Sequence, residues 1–241
     1  MEDIKEKFKD NLKMIDQIVN IGSDIGDLVV SLLDDLKKKY EQMPAFIEYK
    51  NKLDTLIGVI NNLKNHDLLK EKYQIIHNQA LVLIIENFES FLNDLTKEII
   101  NKNPHLISWP ESKKKLPVDV TLLRYSSPTV GDLVLTSLKG EVNFQDLQST
   151  LKFFKEYLDI DIQLSDLERD QIILGGALRN IIVHNNSKVD HAFINQIRLT
   201  VNNKKFKDKE EIKLTKEQYN GFKKVFSDFS DKIISELLKK L

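Results

Sequence analysis

The chain has 241 residues, 41% hydrophobic and 30% charged, with a formal net charge of −1. That is enough apolar material for one large domain or two small ones, and the balance of signs excludes a globally basic nucleic-acid binder, so nucleic acid would have to be met at a local patch. With no cysteine, disulfides and thiolate metal sites are excluded and the composition fits a reducing cytoplasm; the acidic, amphipathic start Met1-Glu2-Asp3-Ile4-Lys5 is not a signal peptide, and the longest apolar run, Ala80 to Ile85, is too short to span a membrane.

Glycine and proline are few (8 and 5), and apolar residues recur at helical spacing along most of the chain. Ile4, Phe8, Leu12, Ile15, Ile18 and Val19 make a first stripe. Gly22-Ser23-Asp24 predicts a break, with Ser23 or Asp24 capping a second helix. That helix carries Ile25, Leu28, Val29, Leu32, Leu33 and Leu36 and ends near Met43-Pro44. A third carries Phe46, Tyr49, Leu53, Leu56, Ile57, Ile60 and Leu63. After a turn at Asn65-His66-Asp67, a long helix runs from about Asp67 to Asn101, and Asn103-Pro104 ends it. Residues 104–130 hold four of the five prolines and read as a loop.

Helices resume over about 129–138 and 143–157. The next runs from about Leu164, capped by Ser165 or Asp166, to His184, where Asn185-Asn186-Ser187 is a stop, because Asn tolerates the left-handed conformation. Residues 197–201 and 211–214 flank a polar turn and predict one short β-hairpin. Thr215 with Gln218 predicts a capping box for a last helix over 216–240. The fold class is all-α: a helical bundle over 67–241, preceded by an N-terminal helical extension over 1–66.

The run Arg179-Asn180-Ile181-Ile182-Val183-His184-Asn185-Asn186 ends the apolar helix. Only four of the 36 basic residues are arginines (Arg124, Arg169, Arg179, Arg198), so Arg179 is not the default cation of this chain. A guanidinium offers a planar fork of donors suited to phosphate, and histidine is the side chain that moves protons near neutral pH. Asn180 and His184, four apart, share a helix face. Arg179 lies roughly 140° around from His184, so one helix does not aim all three at one atom; a two-fold dimer would bring motifs from two chains together.

This Arg-Asn-x-x-x-His run, followed by Asn and then Val189-Asp190, resembles the signature of HEPN domains, in which an Arg and a His are separated by four to six residues, often with a polar residue after the Arg. The segment Gln79 to Leu95, an apolar run followed by Phe88-Glu89-Ser90-Phe91-Leu92, is similar to the first core helix of many HEPN proteins. The resemblance covers about residues 73–240. It implies an all-α bundle that dimerises around a composite cleft. Many members are metal-independent endoribonucleases of phage defence, abortive infection, toxin–antitoxin pairs or CRISPR effectors; others are catalytically silent and bind RNA, nucleotides or partner proteins. Carried over, His184 is the general acid/base, Arg179 holds the scissile phosphate, Asn180 orients one of them, and Glu89 orients the Arg or the His. The implied partners are RNA, a second copy of the chain and an antitoxin or defence-system protein, with no cofactor, metal or membrane.

RNA carries its own nucleophile, the 2′-OH. A general base activates it, and cationic donors stabilise the crowded phosphorane. Plainer uses of the same residues stand beside this one. Arg179 can close a surface ion pair with Glu168 or another acid, and His184 can cap helix carbonyls. Glu86 and Glu89 can be a solvated flank. His66 and His105 read as turn and loop residues, His77 as a satisfied packing-edge residue, and Asp190 as an N-cap ahead of His191. Lys113-Lys114-Lys115, Trp109 and Tyr125 could help hold RNA, but solvated and packing roles fit them better. Gly175-Gly176 lets two helices approach closely.

Overall fold

A computed structural model describes residues 1–40, 47–65, 67–107, 128–138 and 142–240. The calls on His66, Trp109, Lys113 to Lys115 and Tyr125 lie outside the described residues. The fold is all-α. In chain order the helices are α1 (Glu2–Tyr40), α2 (Ile47–Asn65), α3 (Asp67–Lys102), a 3-10 turn (Pro104–Leu106), α4 (Val130–Ser137), α5 (Leu147–Leu158), α6 (Asp166–His184), α7 (His191–Gln196) and α8 (Lys216–Leu238).

The predicted starts are capped as the sequence suggests. Ser165 and Glu168 form a capping box on α6, Thr215 and Gln218 one on α8, and Asp190 caps α7 by accepting from the Phe193 N–H. Each satisfies amides that the first helical turn leaves without partners. Asn186 (φ 49°) and Ser187 (φ 60°) are left-handed at the end of α6, where the Asn185 and Ser187 N–H groups both donate to the Ile181 carbonyl.

Helix α3 is the axis of the bundle, because it carries apolar residues on several of its faces. It packs against α1, α4, α6 and α8. Leu81, Ile84, Leu92 and Leu95 along it are fully buried. Phe88 meets Phe8 of α1 and Phe226 and Phe229 of α8, with ring centroids 5.2–6.0 Å apart. Edge and tilted contacts of this kind add to the area term of aromatic burial.

Two sequence expectations are corrected. No break occurs at Gly22-Ser23; α1 is one helix of 39 residues. An interior glycine costs only about 1 kcal/mol against alanine, and the apolar phase runs through it from Met14 to Leu36. The first half of α1 is also core, with Phe8, Leu12, Ile15 and Val19 buried against α3.

The hairpin of 197–201 with 211–214 does not form. Residues 197–201 are turns after α7, with the Val201 N–H donating to Asp170. The 211–214 backbone is taken elsewhere. Glu211 bridges to Lys188, the Ile212 N–H donates to the Ser187 carbonyl, and Asn78 of α3 bonds both the Ile212 carbonyl and the Leu214 N–H at 2.8 and 3.0 Å. His77 Nδ1 lies 3.1 Å from the Leu214 carbonyl and its ring stacks on Tyr219, the satisfied packing role expected of it. Burial above all pushes its pKa down. With those partners engaged, no edge is left for 197–201 to pair with.

Candidate functional site

Helix α6 carries the motif on its last two turns. Gly175 and Gly176 just before it are buried. A Cβ on Gly175 would stand 3.1 Å from the Phe226 ring, so glycine there lets α6 lie close on α8. Ile181 and Ile182 face the core, while Asn180, Val183 and His184 are exposed. Asn180 and His184, one turn apart, therefore share an outward strip, as their spacing requires.

Arg179 turns the other way, toward α3, with 13% of its side chain exposed. Its Nε donates to Glu86 Oε1 at 3.0 Å, and its Nη2 donates to the same oxygen. Its Nη1 donates to Asn180 Oδ1 at 3.4 Å. Three of the five guanidinium N–H donors are thus engaged within the chain. Asn180 passes the chain of contacts on, its Nδ2 donating to Gln196 Oε1 of α7 at 3.4 Å.

Of the four residues expected at the site, Arg179 and Asn180 touch, and His184 shares the strip of Asn180. Among the described residues no side chain bonds the His184 ring. Glu89 is the correction: it meets neither Arg179 nor His184, and its Oε2 accepts instead from Gln145 Nε2 at 2.6 Å. The carboxylate on Arg179 is Glu86, one turn earlier on the same face of α3. Glu168, the other carboxylate considered for Arg179, pairs with Lys232 at 2.7 Å, and the lysine and the Ser165 hydroxyl and N–H hold its carboxyl down at about 2.

The polar seam continues along α3 from Glu89 into a cleft of about 370 Å³ lined by Glu89, Asn93, Lys97, Asp132, Thr136 and Asn143. Lys97 closes on Asp132 at 2.8 Å; together with Thr129 it keeps the Asp132 carboxyl at about 2. Sequence reasoning missed Gln145 and Gln196 as seam residues. They approach only when α5 and α7 fold against α6, and nothing in their local spacing marks them. Glu86 carried a weak signal, three positions before Glu89 on the flank of an apolar stripe. The exposed residues include His105, in the 3-10 turn, and His191, at the start of α7.

Chemically, one copy of the chain offers an imidazole in solvent and, beside it through Asn180, a guanidinium anchored by a carboxylate. The two do not converge on one point within a single chain. Among the described residues no helix is long and apolar enough to cross a membrane. Comparison with family models, with curated proteins and with solved structures gives no match.

Proposed function

We propose that the chain is a metal-independent endoribonuclease of the HEPN type, acting as a homodimer whose cleft is completed by α6 of a second copy, in phage defence or as a toxin effector. The observation that supports this most is the pairing, on the last two turns of one helix, of an anchored Arg179 hydrogen-bonded to Asn180 with a solvent-facing His184. In the reaction His184 takes the proton of the 2′-OH, and the 2′-oxygen bonds to phosphorus as the bond from phosphorus to the 5′-oxygen breaks. The leaving oxygen receives a proton from an imidazolium. The products are a 2′,3′-cyclic phosphate and a 5′-OH. Arg179 and Asn180 supply donors to the phosphate as charge builds on it. DNA, without the 2′-OH, is not a substrate.

The test is incubation of the full chain and its His184→Ala variant with labelled single-stranded RNA and tRNA in EDTA, with end-group analysis. Wild type cuts and leaves cyclic phosphate; His184→Ala loses about 10²–10⁴-fold in rate, the usual share of a general acid/base. RNA left intact by wild type, or cut equally by both, refutes the proposal.

A second reading, a catalytically silent module that binds RNA, a nucleotide or a protein, draws on Glu86. A carboxylate on the Arg179 guanidinium competes with any phosphate for the same donors. Under that reading His184→Ala leaves affinity intact and no cyclic-phosphate ends form.

A further inference from the structure

The outer face of α1 carries an apolar stripe that nothing in the described chain covers. Met14, Ile18, Ile21, Ile25, Leu28, Leu32 and Leu36 are 43–61% exposed, while another face of the same helix holds Phe8, Leu12, Ile15 and Val19 in the core. Isolated exposed aliphatics need no explanation. Seven in line, over more than five turns, do. Together they present on the order of 700 Å² of apolar surface, above the roughly 300–600 Å² of the largest patch on an ordinary monomer and near the ~800 Å² per partner of a stable interface.

The spacing identifies the occupant. From Met14 to Leu32 the steps are 4, 3, 4, 3 and 4, the alternation that seats knobs into the holes of another helix. Set against itself antiparallel, the stripe is self-complementary. With the two-fold axis between Ile21 and Ile25, Met14 meets Leu32 of the other copy, Ile18 meets Leu28, and Ile21 meets Ile25. Each pair then occurs twice, as an isologous contact demands. The same register sets Asp10 of one chain opposite Leu36 of the other, two residues from its Lys38, at both ends of the seam. Among the described residues of the single chain Asp10 and Lys38 have only exposed partners one turn away, Lys13 and Asp35, contacts of little worth in water. Opposite charge within two residues at both ends and apolar pairs for six of the seven stripe residues fit a second copy of this chain.

We infer that the α1 stripe is a homodimer seam, an antiparallel coiled coil of two α1 helices, separate from the α6 strip and independent of the ribonuclease reading.

The experiment is sedimentation equilibrium of the full chain and of a Leu28→Lys/Leu32→Lys variant, with circular dichroism on both. These side chains are more than half exposed, so the variant keeps its helicity. Its mass falls twofold relative to wild type, from two chains to one, or from four to two where α6 joins a different pair of chains. A wild type that stays at the 28.0 kDa of one chain, or a variant of unchanged mass, overturns the inference. The absence of cysteine allows a second measurement. Ile18→Cys chains mixed with Leu28→Cys chains and oxidised give a cross-link between unlike chains. Cross-links between like chains only, or none, refute the antiparallel register.

Discussion

Glu86 decides what Arg179 can do. A guanidinium 13% exposed with two of its donors on a carboxylate and a third on Asn180 is held in one orientation. If the site is catalytic, that anchoring is what keeps the fork aimed. Glu86→Ala then lowers ribonuclease kcat by about tenfold to a hundredfold with little change in KM, because orientation is lost while charge remains. If the carboxylate merely occupies the guanidinium, the same substitution strengthens RNA binding, and a filter-binding titration beside the kinetics separates the two. An Arg179→Lys change is not conservative here, since an ammonium cannot hold Glu86 and Asn180 with one planar fork.

At the scale of elements, two glycines show how place decides the sign of one substitution. Gly131 opens α4, and a Cβ there would stand 2.8 Å from the Lys97 carbonyl oxygen and 2.9 Å from its Cα. Those are backbone atoms of α3, which cannot swing aside. Gly131→Ala therefore costs about 1–3 kcal/mol, the range for overpacking, and loosens the wall of the cleft that Asp132 and Thr136 line. Gly58, in the interior of α2, has nothing within 4 Å of its would-be Cβ. Gly58→Ala gains roughly 0.5–1 kcal/mol, because alanine loses less backbone freedom on entering a helix. Urea unfolding of the two variants, read at unchanged m-value, checks both signs.

For the whole molecule, the first five turns of α1 and the bundle from α3 onward share one core. Phe8 is 1% exposed, with its ring 5.0 Å from that of Phe91 and 6.0 Å from that of Phe88. Asn11 Nδ2 donates to Asn87 Oδ1, and Asn87 Nδ2 in turn donates to the Phe8 carbonyl. Lys9 reaches Ser227 and Asp231 of α8. A boundary near residue 66 assigns these partners to different units, yet they bury each other. Phe8→Ala is expected to cost about 3–5 kcal/mol and to lower the melting temperature of the entire helical signal in a single transition. Calorimetry that shows a separate early transition for α1 would contradict the shared core.

By itself the sequence determined the helical class, most helix limits and the caps at Asp190 and Thr215, and narrowed that of α6 to Ser165 or Asp166, because those depend on apolar period and on side chains within one turn of the backbone they serve. It also placed Asn180 and His184 on one strip, which follows from helical spacing alone. Tertiary structure decided the rest. Glu86 rather than Glu89 holds Arg179, since both lie on one face of α3 and only the docking of α6 selects between them. Asn78 and Ser187 claim the 211–214 backbone, which ends the hairpin that local β-propensity suggested. The two stripes of α1 look alike as sequence; packing buries one in the core and leaves the other uncovered within the described chain, because the helices packed on α1 reach its other faces.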